Sequence, residues 1–203
     1  GSFSFISEYD GVVRRVPLLF KKDSALLPSL SAEALRVAQE AKGYAVKSSG
    51  ASGEKGGHTG ISKVKIGGLV IPTDAWGRVW VYFTGPAPRR TVPAWKIFEK
   101  DIDVSLVQGN ITFVGTSAAG LKDLRVTALN PVLPGVEVHA NVVEQALLGK
   151  YLNRPDWADG AELLYMLLLG ALLTVLLPRF GAGISAVAGA AGVAAALYVS
   201  WKA

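Results

Sequence analysis

Hydrophobic positions follow two different rules along this chain. Val79, Val81 and Phe83 alternate with Arg78, Trp80 and Tyr82, the period of two expected of a half-buried strand. After Gly160 no alternation survives. Ala161–Leu177 is apolar apart from Glu162, Tyr165 and Thr174, Pro178-Arg179-Phe180-Gly181 interrupts it, and Ala182–Trp201 carries no charge. A run of ~20 apolar residues crosses a bilayer as a helix. The second stretch meets that length, and the first meets its lower limit when extended back to Ala158. Two transmembrane helices are therefore predicted, 158–178 and 181–201. Trp157, Tyr165, Tyr198 and Trp201 stand near their ends, where interfacial rings belong. Two buried helices of a soluble protein are the alternative, but the rest of the chain is too small to cover them.

The remaining pattern predicts a mixed domain. Val12–Phe20 holds short extended runs stopped by Pro17. A helix follows Pro28-Ser29, with Ser31 as its N-cap and Leu30, Ala34, Leu35, Ala38 and Ala41 on one face. Lys42–Ser62, rich in Gly, Ser and Lys, is too polar to pack and is expected to be a mobile loop holding His58. A hairpin is predicted next: Val64–Ile71 out, a turn at Pro72–Gly77, and Arg78–Thr84 back. Pro93–Lys100 is expected to be a short helix with Trp95 and Phe98 inward. Ile111–Gly115 reads as a buried strand. A second helix follows Pro134-Gly135 and ends near Gly149. Helices mixed with buried strands argue an α/β or α+β fold.

Composition then narrows the function. The chain has 203 residues, half of them hydrophobic and 18% charged, with mean hydropathy +0.34. That excludes a disordered chain. The absence of Cys excludes disulfides and thiolate metal sites. The net charge is +5. Arg14-Arg15, Lys21-Lys22 and Arg89-Arg90 are isolated pairs, read as solvated surface, so no nucleic-acid partner is expected. Arg179, the charge of the connector, places that connector in the cytoplasm by the positive-inside tendency, which puts residues 1–157 outside. Gly1-Ser2 looks like a cloning remnant, so a piece of a longer protein is expected.

Candidate chemistry is sparse. In ITFVGTSAAGLKDLR, Ile111–Arg125, Gly115 and Gly120 have the Walker spacing. However, Leu121 stands where that loop needs Lys, and Lys122 comes one place late, so a tight strand-to-loop passage is the favoured reading. Asp123 and Arg125 flank Leu124 on one strand face and read first as an ion pair. His139 falls on or beside the apolar face of its helix and reads first as a hydrogen-bonded, partly buried side chain; Glu137, Asn141 and Glu144 form the polar face. Thr116, Ser117, Asp123, Arg125, His139 and Asn141 are the speculative ligand contacts. No catalytic constellation, metal site or cofactor can be assigned. Gly181, Ser185, Gly189 and Gly192, with Ala188 and Ala196, put small residues at helical spacing and are the candidate helix-packing stripe.

The ordered set YDGVVRRVPLL (Tyr9–Leu19), PSLSAEAL (Pro28–Leu35), IPTDAWGRVWVYFTGP (Ile71–Pro86), Ile111–Arg125, PGVEVHANVVEQALLG (Pro134–Gly149) and LNRPDW (Leu152–Trp157) closely resembles the CHASE sensor domain family, type two. The resemblance implies a bacterial extracytoplasmic sensor whose opening portion and first membrane helix are missing here. It also implies an output domain beyond this chain: a class III adenylate or guanylate cyclase, a histidine kinase of a two-component system, a serine/threonine kinase or a diguanylate cyclase. Such outputs act as dimers, so a homodimer through the membrane helices is expected, together with an unknown ligand or protein outside. The alternatives are a membrane-anchored enzyme with a polar or phosphorylated substrate at Gly115–Arg125, and a purely structural dimerisation module.

Overall fold

The computed structural model describes residues 8–23, 25–48, 61–74, 76–85, 90–99, 103–117, 121, 123–152 and 158–202. The expectations for His58, Gly120, Lys122 and Trp157 lie outside them. The chain divides into two compact units, Gly1–Asn153 and Arg154–Ala203.

In the first unit the strands are β1 (Val12–Val13), β2 (Arg15–Pro17), β3 (Leu19–Lys22), β4 (Ala25–Pro28), β5 (Tyr44–Ser48), β6 (Ile61–Ile66), β7 (Leu69–Pro72), β8 (Arg78–Trp80), β9 (Leu124–Thr127) and β10 (Leu133–Pro134). The helices are α1 (Leu30–Ala38) and α2 (Gly135–Leu148). Four small sheets result: β1-β9-β10, β2-β8, β3-β4 and β5-β6-β7. The pairing of β1 with β9 is parallel and the others are antiparallel. The mixed fold class is as expected. The core is built from Val, Leu and Ile contributed by β2, α1, β6, β7, β8 and α2.

The register departs from the predicted hairpin. Val64–Ile71 is broken at Gly67-Gly68, and Gly67 has φ 55°, a left-handed turn position that suits glycine. β6 therefore folds back on β7, while β8 pairs with β2, Val16 opposite Val79. Val79 and Val81 are buried as the alternation requires. β5 lies inside the stretch expected to be a loop and pairs with β6 from Tyr44↔Ile66 onward. The Gly-, Ser- and Lys-rich residues around it disguise it, and Ala45 and Val46 are exposed, which an edge strand allows because backbone hydrogen bonds hold it to β6.

Other expectations are corrected too. Ser29, not Ser31, caps α1: its backbone is extended and its Oγ accepts Ala32 N–H at 3.2 Å. Ser31 is already helical and buried. The buried residues of α1 are Ser31, Ala32 and Leu35, so of the expected face only Leu35 is fully buried; alanines all round the helix blur its period. Ile111–Gly115 joins no strand among the described residues. Ile111 and Phe113 lean on the core, while Val114 is 88% exposed. Ala94–Phe98 is a 3-10 turn with Trp95 61% and Phe98 87% exposed, so neither ring is inward. α2 starts and stops as predicted, with Gly149 at φ 65° as its left-handed stop.

The second unit is the helical segment α3 (Ala158–Lys202), helical throughout except at Gly181 (φ 76°, ψ 176°). The bend is thus one residue rather than the predicted interval Pro178–Gly181. Pro178 stays helical just ahead of it, where a missing N–H weakens the ladder. The two arms lie side by side: Tyr165 Oη donates to Gly192 O at 2.6 Å, and Leu173 packs on Gly189. Residues Gly160–Trp201 are long and apolar enough to cross a membrane, and their most apolar stretch is not buried.

Candidate functional site

α2 organises the described surroundings of the predicted site. Its Gly135 N–H donates to Asp123 O at 2.7 Å. Gly115 presses on the first turn, so closely that a Cβ there would lie 2.5 Å from Val136 Cβ. The strand-to-loop passage thus needs glycine for close approach, as the favoured reading had it. Thr116 and Ser117 follow on the surface. Arg125 reaches Asp123 at 3.6 Å, a loose, half-exposed ion pair on β9. Gly115 and the Asp123 carbonyl both touch the start of α2, with Thr116 and Ser117 following the one along the chain and Arg125 paired with the other.

His139 and Asn141 are not brought to that place together. Two residues along an α-helix are ~200° apart around its axis, so they face opposite sides. His139 is 1% exposed, in the core, with its Nδ1 2.7 Å from the buried Ser31 Oγ of α1. Asn141 faces the end of the β8 strand. Its Oδ1 accepts Thr84 N–H at 2.9 Å, and its Nδ2 donates to Glu137 O.

The neighbouring Gln145 had no predicted role. Its buried amide accepts Tyr82 N–H at 2.5 Å and donates to Trp80 O at 3.0 Å. It does for the continuation of β8 what a paired strand would do, and so ties α2 to the sheet. Arg90 joins Glu144 at 2.6 Å, and this carboxylate raises the guanidinium's affinity for its proton. The small pocket between Tyr82, Thr84, Glu144, Gln145, Leu148 and Lys150 has about 30 Å³, room for a water molecule rather than an organic ligand.

A second cluster escaped the sequence. Arg14-Arg15 are not merely solvated. Arg14 pairs with Glu8 and Asp10, Arg15 pairs with Glu8 and Asp74, and Arg78 pairs with Asp74. Arg15 also stacks 4.6 Å from the Trp80 ring, and Arg78 4.8 Å from Trp76. Arg14 beside Asp10 holds that carboxyl below its ordinary pKa. One signal was available: Asp74 precedes a Trp-Gly-Arg turn, and its Oδ1 accepts the N–H groups of Trp76 and Arg78, as aspartate does in turns. The long-range Arg15 contact could not be inferred from spacing.

The small-residue stripe lies where the two arms of one chain meet. A Cβ on Gly192 would meet Leu169 at 2.8 Å, and Ser185 is buried with its Oγ donating to Gly181 O. Among the described residues no group of three His, Asp or Glu side chains could hold a metal ion.

Residues 1–176 match the model of the CHASE2 domain, and the chain belongs to that family. CHASE2 domains are extracytoplasmic sensor domains of signalling receptors and are not catalytic. No curated protein and no solved structure in the comparisons matches the chain.

Proposed function

We propose that this chain is the sensory and transmembrane part of a bacterial receptor that passes an outside signal to a cytoplasmic output domain, most readily a class III adenylate or guanylate cyclase. The observation that carries the reading is the unburied apolar helix Gly160–Trp201 placed after a sensor unit with a core of its own. The two arms are two membrane spans, with the bend beside Arg179 in the cytoplasm and residues 1–157 outside. A stimulus acts by favouring one arrangement of the sensor unit over another, because equal affinity for both shifts nothing. α2 is the last helix before the membrane, so its ties through Gln145, Asn141 and Glu144 are the route by which a change at the sheet reaches the hairpin. The receptor works as a homodimer, with protomers meeting through the membrane helices, the Ala/Gly-rich arm among the candidate contacts.

The topology is testable because the chain has no Cys. Lys42→Cys is expected to react with a membrane-impermeant maleimide on intact cells, and Arg179→Cys only after lysis. The opposite pattern overturns the orientation, and labelling of both on intact cells overturns the hairpin.

A further inference from the structure

We propose that the solvent face of the β5-β6-β7 sheet is a docking surface for a linear phosphate polymer without bases. The inference concerns the sensor unit alone and holds on either side of a membrane.

Charge is unevenly spread along the chain. Residues 41–72 contain five lysines, Lys42, Lys47, Lys55, Lys63 and Lys65, against one acid, Glu54. That segment supplies +4 of the net +5, and the rest of the chain is close to neutral. The sheet register collects three of these lysines. Val64 and Ile66 of β6 are buried, so the alternate Lys63 and Lys65 face solvent. Lys47 of β5 stands directly opposite Lys63 and therefore on the same face. The Cβ atoms of such a pair are ~5 Å apart, and like charges there repel. Ala45, Val70 and Pro72, the neighbouring positions of that face, carry no charge. Glu54 can neutralise one lysine at most. Lys63 and Lys65 enter no ion pair among the described residues.

Elsewhere the unit matches its cations internally. Arg14, Arg15, Arg36, Arg78, Arg90 and Arg125 each have a carboxylate partner. A face of one sign raises the local concentration of anions from outside. Its side chains select which anion. Ala45, Val70 and Pro72 are not aromatic, so the face offers bases no stacking platform. It has no Arg, whose planar fork suits a carboxylate; ammonium groups act as point charges and suit phosphate oxygens. The three lysines are spread over two strands, so a lone anion cannot engage them all. A polymer that repeats its anions can, and it gains the release of their counterions.

The test uses the full chain in a neutral detergent, with fluorescent inorganic polyphosphate read by anisotropy between about 50 and 200 mM salt. At ~0.7 in log–log slope per contact, three contacts give a slope of about 2 and a loss of affinity of roughly tenfold to twentyfold over that range. Lys63→Gln with Lys65→Gln should bind about tenfold more weakly at the lower salt, with a slope below about 1. Lys96→Gln with Lys150→Gln has the same net charge and should bind like the parent. Equal weakening in both double variants overturns the site in favour of general charge attraction, and no binding by the parent at the lower salt overturns it outright. Poly(glycerol phosphate), tried beside polyphosphate, separates the two sources of the chemistry, the tighter binder being the partner. Polyglutamate binding as tightly as either overturns the choice of phosphate. A single-stranded oligonucleotide binding as tightly overturns it in favour of nucleic acid.

Discussion

Leu18 and Leu167 are the same side chain in two different surroundings. Leu18 is fully buried in the sensor unit, whereas Leu167 in the hairpin is 63% exposed. The sensor unit buries an aliphatic core and pairs polar groups inside it, as with Ser31 on His139 and Gln145 on the backbone of β8. In the hairpin the leucines face outward, while Gly189, Gly192 and Ser185 face the partner arm. The difference teaches that hydrophobicity alone does not locate a core. In water the largest apolar side chains go inside; in lipid they have no reason to, and small residues take the helix contact instead.

The comparison breaks or holds first at those leucines. Leu18→Ala is expected to cost the sensor unit about 2–5 kcal/mol, seen as a lower thermal midpoint by near-UV circular dichroism in detergent. Leu167→Ala should leave that midpoint unchanged; an equal loss would mean that Leu167 packs on protein. Next comes Gln145→Leu, which keeps the bulk but removes both backbone partners. It should cost about 1–3 kcal/mol and speed amide exchange at Tyr82, and unaltered exchange would dismiss the strand-like role of this amide. Removal of the cap by Ser29→Ala should cost ~1 kcal/mol, with Ser31→Ala acting instead through His139. In the hairpin, Tyr165→Phe removes the bond to Gly192 O, and ~0.6 kcal/mol is expected from comparable membrane bonds. Steric-trap unfolding in bicelles would measure it.

The smallest effect concerns pH. Arg36, with help from the Tyr44 hydroxyl, holds the Glu33 carboxyl at about 2, below the ordinary 4.5. The same contact and its own burial push Tyr44 up. A depressed carboxyl pKa adds stability that is present above the ordinary value and lost as pH falls toward 2. Glu33→Gln should therefore lower stability at neutral pH, by about 0.3–0.5 kcal/mol for so exposed a helix pair, and flatten the acid limb between about pH 4.5 and pH 2, where the parent loses that contribution. An acid limb of unchanged steepness would show that other carboxylates set it.

Legibility tracks how local each feature is. α2 was readable from Pro134-Gly135 to Gly149 because its start and stop signals are adjacent to it in sequence. The alternation from Val79 to Phe83 was readable for the same reason. The partner of that strand was not, since β2 lies some sixty residues earlier and pairing is a long-range choice. β5 escaped because an exposed strand resembles a loop in composition. Trp95 and Phe98 escaped because aromatic rings are read as core by default, whereas here both are exposed. Of the candidate contacts, the pairing of Asp123 with Arg125 followed from their flanking Leu124 on one strand face. The separation of His139 from Asn141 was legible too, because the helical period puts His139 on or beside the apolar face and Asn141 on the polar one.

Gly115 carries a consequence for anyone mapping this receptor by saturation mutagenesis. It is solvent-exposed, yet its missing side chain is where Val136 stands. Every replacement should score as damaging there, while Thr116 beside it tolerates many. An intolerant, accessible position next to two hydroxyl residues has the profile of a binding hot spot. At Gly115 that profile would report a steric fit between a loop and a helix, and a search for the stimulus that trusted it would begin at the wrong residue.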